Sequence, residues 1–320
     1  ATGKAQMVNF GEIRDGRLVV EAGEYNKQPN AWPFLLSLVY RIAGPGEPVS
    51  FLVNNLVFAA GAFLVFLLGL LLFEEFRIGL AAAAAYAVIP QNILWHNTTA
   101  AEPAGATAIL LAVFLARAAA RTGKPKLVVL AFVSAAIAAQ FRMESILVFP
   151  LIALYLLIEG RPALRDPKSF YAVPLTLLLL LPHILHLYFF LGHPWGASSA
   201  DTFGLSHVGR NLATNGSFFL DNKDFPVLLT AAAAAAFLFK RKSVEKTQTA
   251  VWFVLFWGVY LFFYAGSYDY GADVRFSLPA FAPLALLAGA GLGDLDRLIA
   301  RRIRRPRLAL AGPLVVIASF

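Results

Sequence analysis

The stretch FLVNNLVFAAGAFLVFLLGLLLF (51–73) contains no charged residue along its whole length. A helix of about 20 apolar residues crosses the hydrocarbon core of a bilayer, which is about 30 Å thick. In hydrocarbon the backbone must satisfy its own hydrogen bonds, so such a stretch must be helical. This segment therefore predicts a membrane-spanning helix, and it sets the fold class of the chain.

Similar apolar runs recur along the 320 residues. Hydrophobic residues make up 59% of the chain and the mean hydropathy is +0.67, above the roughly 45–50% apolar content of soluble domains. We predict nine complete spans and a tenth that reaches the end of the sequence, at 51–73, 78–95, 103–121, 126–140, 145–158, 170–191, 225–239, 248–265, 276–293 and 308–320. The predicted fold class is all-α, a polytopic transmembrane helical bundle.

Positive charge is unevenly distributed among the loops. Eighteen of the 27 Lys and Arg residues lie in alternate loops, at 74–77, 117–126, 161–168, 240–246 and 297–307. Short loops rich in Lys and Arg stay in the cytoplasm, so we expect the other loops outside, in a multi-pass protein of the plasma (inner) membrane. The net charge of +8 follows from this bias. The basic residues do not form the single patch that nucleic-acid binders require.

Two domains are expected. Residues 1–50 form a first outer loop in which NAWPFLLSLVYRIAG (30–44) is too short to span, so helix 31–44 is predicted to lie in the membrane interface. Residues 51–320 form the transmembrane domain, with a long outer loop at 192–224. The chain starts without Met and ends inside an apolar run, which we interpret as a fragment cut at both ends.

The turn QFRME (140–144) joins two short predicted spans. At 1.5 Å per residue the span 126–140 reaches about 22 Å, less than the hydrocarbon core. An arginine and a glutamate at that depth are costly unless they pair or face water. Our hypothesis is that this hairpin forms the floor of a cavity open to the outside.

The acid Glu102 lies in the outer loop WHNTTAAEPAG (95–105). Pro103 is typical of a helix start, where the helix dipole stabilises a carboxylate. The alternatives are a simple helix cap and an acid that faces the cavity. His96, in the same loop, fits an interfacial polar residue better than a metal ligand.

Cationic residues in the other outer loops are candidates for binding a phosphate group. Lys27 precedes the interfacial helix, and Arg275 lies in SYDYGADVRFSLP (267–279) near Asp269 and Asp273. The arginine fork matches phosphate oxygens; a solvated lysine and a salt bridge from Arg275 to Asp273 are the alternatives. The segment 192–216, with His193, supplies aromatic residues typical of an interfacial belt or of a platform for sugars.

Several signatures of other functions are absent from the sequence. There is no phosphate loop GxxxxGK[ST], no HExxH, no GxSxG and no cysteine. His183 and His186 lie in one span without an acidic partner, which argues against a metal site. A divalent cation remains a candidate cofactor whose ligands the sequence does not identify.

Four segments together resemble the GT-C membrane glycosyltransferases, a superfamily that includes the protein mannosyltransferase and aminoarabinose transferase branch and bacterial lipopolysaccharide sugar transferases. In chain order they are YNKQPNAWPFLLSLVYRIAG (25–44), AEP (101–103), QFRMES (140–145) and VRFSLPAFAPLALLAGAGLGDL (274–295). They extend over most of the chain. Each motif is weak alone, and their order on one predicted side makes the resemblance specific.

The resemblance implies inverting transfer of a sugar from a polyprenyl-phosphate donor to a lipid, glycan or protein acceptor on the extracytoplasmic side. It gives Glu102 the second acidic role and places Lys27, Arg142 and Arg275 at the donor phosphate. The substrate cavity would include Tyr25, Gln140, Glu144, His193, Asp269 and Asp273. The family's main acid follows a helix upstream of the Tyr–Pro motif, and here only Glu12 and Asp15 stand as substitutes. We therefore expect the fragment to lack the main catalytic acid and to be inactive by itself.

A transporter or lipid flippase is the alternative function. Transporters place substrate and ion sites near the middle of the bilayer, often on broken helices. In this sequence the ionisable residues collect near the predicted span ends, and the span centres carry almost no charge. This distribution favours the transferase.

Overall fold

The computed structural model describes residues 6–14, 17–25, 29–189, 202–223, 225–269 and 274–303. The chain begins with an antiparallel hairpin of β1 (Gln6–Arg14) and β2 (Arg17–Tyr25), in a region that the sequence analysis assigned to a loop. Its register pairs Gln6 with Tyr25 and Arg14 with Arg17. The rest of the described chain is helical apart from its connections and one isolated bridge between Phe203 and Phe263.

Thirteen α-helices follow within the described residues. They are α1 (Ala31–Ala43), α2 (Glu47–Phe73), α3 (Phe76–Ala87), α4 (Pro90–His96), α5 (Glu102–Thr122), α6 (Pro125–Phe141), α7 (Val148–Ile158), α8 (Arg161–Arg165), α9 (Ala172–Phe189), α10 (Val208–Phe218), α11 (Val227–Ala235), α12 (Ser243–Gly258) and α13 (Leu278–Ile303). Short 3-10 turns lie at Met143–Leu147, Pro167–Tyr171, Leu205–His207, Ala236–Leu238, Val259–Leu261 and Val274–Ser277.

The predicted helical membrane fold is confirmed, but the count of nine complete spans is not. Among the described residues four helical segments are long and apolar enough to cross a bilayer, at Glu47–Phe73, Glu102–Thr122, Pro167–Leu185 and Val274–Ala300. The helices α3 and α4 make a fifth if they count as one bent span. The remaining apolar helices, at Ala31–Ala43, Pro125–Phe141, Met143–Ile158 and Val227–Leu238, have 10–17 residues.

The predicted span 78–95 is broken by a bend of 62° between α3 and α4. The reason is Pro90: a residue before proline is pushed out of the α region, and Ile89 is extended at φ −65° and ψ 116°. The seven-residue helix α4 that follows therefore turns away from α3. It carries Trp95 and His96 toward the start of α5.

The glycines of GAGLG (289–293) explain how α13 fits into the bundle. A Cβ added at Gly289 would lie 2.8 Å from the Cβ of Ala82 in α3, and one at Gly291 would lie 1.9 Å from the carbonyl oxygen of Ala232 in α11. Small residues let helix backbones approach closely in membranes. Glycine in this run therefore serves close packing between helices.

The helix α5 connects two ends of the bundle that differ in chemistry. With 21 residues at 1.5 Å rise it is about 30 Å long. It starts at Glu102 and ends at Gly123, which adopts a left-handed conformation (φ +67°) and donates its N–H to Ala119. We call the end near Glu102 the site end and the end near Gly123 the basic end.

The basic end is held together by ion pairs between helices. The linker acids Glu74 and Glu75 contact four cations from three other places in the chain: Arg121, Arg241, Lys242 and Arg297. A buried pair joins Lys246 Nζ to Asp294 Oδ2 at 2.6 Å, and Lys246 also donates to the carbonyl oxygens of Ala236 and Phe239. Several loops that the sequence analysis placed on one side thus meet at one end.

Candidate functional site

Glu102 opens α5 at the site end. Pro103 occupies the first helical turn, and the carboxylate stands where the free N–H groups of that turn favour negative charge. The side chain is only 8% exposed. A nearly buried carboxylate requires cationic partners, and the structure provides two.

The first partner is Arg142, in the turn between α6 and the 3-10 helix Met143–Leu147. Its backbone is extended (φ −146°, ψ 130°), which ends α6 and turns the chain. Arg142 Nη1 lies 3.3 Å from Glu102 Oε1, and Arg142 Nε donates to Glu144 Oε1 at 2.7 Å. A Cβ on Gly105 would lie 3.2 Å from Arg142 Cγ, so a glycine one turn after Glu102 leaves room for this arginine.

The second partner is Arg275, in the 3-10 turn Val274–Ser277 before α13. Arg275 Nε lies 3.6 Å from Glu102 Oε1, and its side chain is 37% exposed. That Nε makes no hydrogen bond to the part of the chain that the structure describes. Arg275 is therefore held less tightly than Arg142, and the exposed part of its side chain can offer donors to a ligand.

Aromatic rings hold the two guanidinium groups near each other. The ring centre of Phe276 lies 4.8 Å from Arg142 Cζ and 5.0 Å from Arg275 Cζ, and Trp95 lies 5.3 Å from Arg275 Cζ. Such distances give cation–π attraction. Tyr260 stacks on Phe276 at 5.8 Å, so the rings form a wall beside the cations.

We call Glu102, Arg142, Glu144 and Arg275 the acid–arginine cluster. Two positive and two negative groups make it neutral overall, and Glu102 Oε1 is approached by both arginines. Arginine recognises phosphate through paired donors, so an incoming phosphate can compete with Glu102 for these donors. The cluster can thus exchange an internal carboxylate for an external anion.

The loop before Glu102 is fixed by side chains of α1 and α2. Asn54 Nδ2 donates to the carbonyl oxygens of Thr98 (2.7 Å) and Ala100 (3.0 Å). Trp32 Nε1 donates to that of Thr99 at 2.7 Å. Three consecutive carbonyl groups are thereby bound immediately before the catalytic candidate.

The other residues predicted for the site are not shown to join the cluster. Gln140 donates to the carbonyl oxygen of Leu179 in α9 at 2.7 Å, so its amide ties two helices together. Asp269 is exposed in a turn, where its N–H lies 3.4 Å from Ser267 Oγ. In the hairpin the backbone of Glu12 pairs with Val19, and Tyr25 pairs with Gln6.

Four predicted site residues lie outside the described residues: Asp15, Lys27, His193 and Asp273. The alternatives of a salt bridge from Arg275 to Asp273 and of a solvated Lys27 stay open for the same reason. For Arg275 the described partner is Glu102 instead.

Sequence reasoning did not single out Asn54, Trp95, Phe276 or Tyr260. A signal existed for Asn54, since Asn54 and Asn55 are the only polar side chains in the stretch 51–73. Arg117, at the start of the predicted basic loop 117–126, is buried, with Nη1 at 2.6 Å from Gln248 Oε1 and 3.0 Å from Glu159 Oε1. The uniform apolar pattern around it gave no sign of these partners.

The described residues do not fit a divalent cation. Both carboxylates of the cluster, Glu102 and Glu144, already face Arg142, and a hard cation needs several free oxygen ligands. In the described ranges no group of three His, Cys, Asp or Glu residues is close enough to hold a metal. We therefore derive no step through a metal.

Solved structures with the same fold are membrane enzymes. The oligosaccharyltransferase of Archaeoglobus fulgidus tethered to an acceptor peptide aligns with a TM-score of 0.61 and 15% identity over 92% of this chain and 45% of its own. ArnT from Cupriavidus metallidurans bound to undecaprenyl phosphate aligns with a TM-score of 0.60 and 16% identity, over 92% of this chain and 54% of its own. The Archaeoglobus fulgidus oligosaccharyltransferase AglB with an inhibitory peptide and a dolichol-phosphate aligns with a TM-score of 0.56 and 14% identity, over 92% of this chain and 46% of its own.

The chain spans about half the length of these structures. Comparison with curated protein sequences gives no significant match. A family model described as dolichyl-phosphate-mannose-protein mannosyltransferase matches residues 27–186, half of the chain. This match covers α1 to α8 and most of α9, together with Glu102 and Arg142, and it confirms the predicted resemblance: the chain belongs to the dolichyl-phosphate-mannose-protein mannosyltransferase family.

Proposed function

We propose that this protein is an integral-membrane glycosyltransferase that moves a sugar from a polyprenyl-phosphate donor to the hydroxyl group of a lipid, glycan or protein acceptor. Family membership supports the reaction class. The fold is shared with structures that hold undecaprenyl phosphate and dolichol-phosphate, which supports a lipid-linked donor. The observation that carries the proposal is the acid–arginine cluster, in which one carboxylate lies against two arginines at the end of the bundle.

The cluster contains groups for the two charges that such a transfer moves: the negative charge of the departing phosphate and the proton of the acceptor hydroxyl group. The acceptor oxygen attacks the anomeric carbon, the bond from that carbon to the phosphate oxygen breaks, and the polyprenyl phosphate leaves with the electron pair. Arg275 and Arg142 are placed to bind the departing phosphate, and preorganised positive charge at a leaving group lowers the barrier. Attack from the face opposite the phosphate inverts the anomeric centre.

In this mechanism Glu102 accepts the proton of the acceptor hydroxyl group. In the absence of substrate its carboxylate neutralises the arginines. When the donor phosphate takes over those donors, Glu102 becomes available as a general base, which contributes about 10²–10⁴-fold to a rate. Glu144 keeps Arg142 oriented through the bond at 2.7 Å. Lys27 stays a proposed further phosphate contact, and His193 and Asp273 stay proposed cavity residues.

We place the active face on the extracytoplasmic side of the plasma (inner) membrane. Two facts support this orientation: the cation-rich loops meet at the basic end, and α5 separates that end from Glu102 by its full length. Short basic loops remain cytoplasmic. Nucleotide sugars are absent outside the cell, so a donor whose tail stays in the membrane suits a site at that face.

The test is transfer by the intact protein reconstituted in liposomes, with a radiolabelled polyprenyl-phosphate sugar and an acceptor lipid or peptide. We expect labelled acceptor and free polyprenyl phosphate in equal amounts, and NMR of the product to show the inverted anomer. Arg275→Ala should lower the rate by about 10²-fold, as loss of one electrostatic donor does. Arg241→Ala, at the basic end, is the matched control and should transfer normally.

One outcome would contradict the proposed reaction class, and another would contradict the role of Arg275. Uptake of a solute into the liposomes without any sugar transfer would establish a transporter instead. A normal rate in Arg275→Ala would remove this arginine from the site while leaving the reaction class intact.

A further inference from the structure

Asn54 is a fully buried polar side chain whose amide contacts the loop before Glu102. It lies two turns into α2, in the stretch 51–73 whose only other polar side chain is Asn55, and it is 0% exposed. A polar group in such surroundings is costly unless it is hydrogen-bonded. Its presence therefore calls for a specific use of its amide.

The amide group of Asn54 has a fixed orientation. Both of its contacts are backbone carbonyl oxygens, of Thr98 and Ala100, and a carbonyl can only accept. The NH₂ side must therefore face the loop, and each of its two hydrogens goes to a different residue. One side chain thus fixes two peptide units that are separated by a single residue.

Trp32 of α1 binds the peptide between them. Its Nε1 donates to Thr99 O at 2.7 Å, and its ring packs edge-on against Phe141, next to Arg142. The same buried group contains Ala104, at the start of α5. Trp32 therefore contacts both the loop before Glu102 and the residue that precedes Arg142.

The loop has little freedom left once these bonds are made. Thr98 Oγ1 donates to Trp95 O at 2.6 Å and accepts from Ala100 N at 3.2 Å. Ala101 O then accepts the first helical bond, from Gly105 N at 3.0 Å. Hydrogen bonds thus restrain the backbone between Trp95 and Glu102. Because the bonds of Asn54 come from α2, this helix helps to position the start of α5 and with it Glu102.

We propose that Asn54, assisted by Trp32, is a positioning residue that fixes the backbone at 98–100 and so sets Glu102 between Arg142 and Arg275. The inference rests on the proposed transfer for its kinetic consequence, but its structural consequence can be measured without any activity. A displacement of about 1 Å at a reacting group can cost about 10²-fold in rate. Loss of the Asn54 amide should therefore act on turnover more than on substrate binding.

The kinetic arm compares Asn54→Ala and Asn54→Asp with Asn55→Ala in the intact reconstituted protein. Asn55 is the matched control, because its amide donates to Phe51 O in its own helix and to the side chain of Asn97, and to no loop carbonyl. We expect kcat to fall 10- to 100-fold in both Asn54 variants, with the KM for the donor within about threefold. Asn55→Ala should stay within about twofold of the unsubstituted protein.

The structural arm uses the fact that the chain contains no cysteine. Ala104→Cys and Ala116→Cys place single thiols at buried positions, 5% and 0% exposed, near the two ends of α5. Each is introduced into the protein with Asn54 or with Asn54→Ala, and labelling by a water-soluble maleimide is timed. We expect Asn54→Ala to speed labelling of the thiol at position 104 at least tenfold, while the thiol at position 116 stays protected.

Each outcome decides the matter. Unchanged kcat, or unchanged protection of the thiol at position 104, overturns the proposal. Faster labelling of both thiols also overturns it, since Asn54 would then support the whole bundle rather than the loop. If the protein with Asn54 transfers no sugar, the proposed function fails, and the labelling arm still decides whether Asn54 holds the loop.

Discussion

The two ends of the bundle use charge in different ways. At the basic end, acids and cations from distant segments meet in close pairs, and the buried pair of Lys246 and Asp294 has a separation of 2.6 Å. At the site end, two arginines share Glu102 at the longer distances of 3.3 and 3.6 Å. One of them, Arg275, remains 37% exposed beside aromatic rings.

The difference shows which charges fasten the fold and which are available to a ligand. A buried ion pair with additional hydrogen bonds cannot be separated without a large cost. A partly exposed arginine against an aromatic ring keeps donors free for an anion. Charge number alone does not distinguish the ends, but the exposure of Arg275 and the hydrogen bonds that support the buried Lys246 do.

The comparison is tested most strongly by Glu102→Gln. This change keeps the shape of the side chain but removes its charge, so the proposed general base is lost and transfer should fall about 10²–10⁴-fold. The matched control is Glu159→Gln, an acid that pairs with Arg117 toward the basic end. Initial rates at saturating donor are the measurement, and a normal rate in Glu102→Gln would exclude it from the reaction.

Lys246→Met tests the fastening role of the basic end. It leaves Asp294 without one buried partner and frees the carbonyl oxygens of Ala236 and Phe239, so we expect the free energy of unfolding to fall by about 3–5 kcal/mol. Lys242→Met removes a more exposed lysine and should cost less than about 1 kcal/mol. Unfolding in mixed micelles titrated with SDS measures both. Equal effects would mean that burial of the pair is unimportant.

Gly291→Ala tests close packing independently of charge. The added Cβ would lie 1.9 Å from Ala232 O, so α11 or α13 must move, at a cost of about 1–3 kcal/mol in unfolding free energy. Gly209→Ala in α10 is the control, since no atom lies within 4 Å of its Cβ position. The same titration should show Gly209→Ala unchanged or slightly more stable; similar losses in both variants would contradict the packing argument.

The smallest effect is expected at the exposed pair of Glu74 and Arg121. The Arg121 guanidinium, followed by Lys242, lowers the pKa of Glu74. A lowered pKa in the folded protein gives stability that is present above the ordinary pKa of the carboxyl group and is lost as the pH falls through the lowered value. Arg121→Ala should therefore reduce the drop in Tm between pH 7 and pH 3. An unchanged drop would show that solvent screens this pair completely.

Residues of the candidate site differ in how far the sequence could predict them. Glu102, Arg142, Glu144 and Arg275 were selected from outer loops, and the structure brings these four together. Gln140 was selected by the same reasoning, yet its amide turns to Leu179. Side-chain direction at a helix end depends on the neighbouring helix, and a loop assignment contains no information about that neighbour.

The secondary structure likewise contains parts that the sequence predicted and parts that it did not. Apolar runs predicted where helices occur, and α5 has nearly the predicted bounds, because Pro103 and Gly123 mark its ends locally. The span 78–95 was predicted as one helix although Pro90 stands inside it, and the bend of 62° appears at that residue. The strands β1 and β2 were missed, because a polar segment without strong alternation resembles a loop.

The sequence by itself determined that this chain lies in a membrane, where most of its helices lie, and that cationic loops alternate with polar ones. These properties follow from solvation and from local backbone preferences, which act within a few residues. Tertiary structure alone decided that Asn54 binds the loop before Glu102, that Phe276 touches two arginines, and that Lys246 meets Asp294. Each of these contacts depends on which helices become neighbours, and close packing of small residues such as Gly291 sets that arrangement.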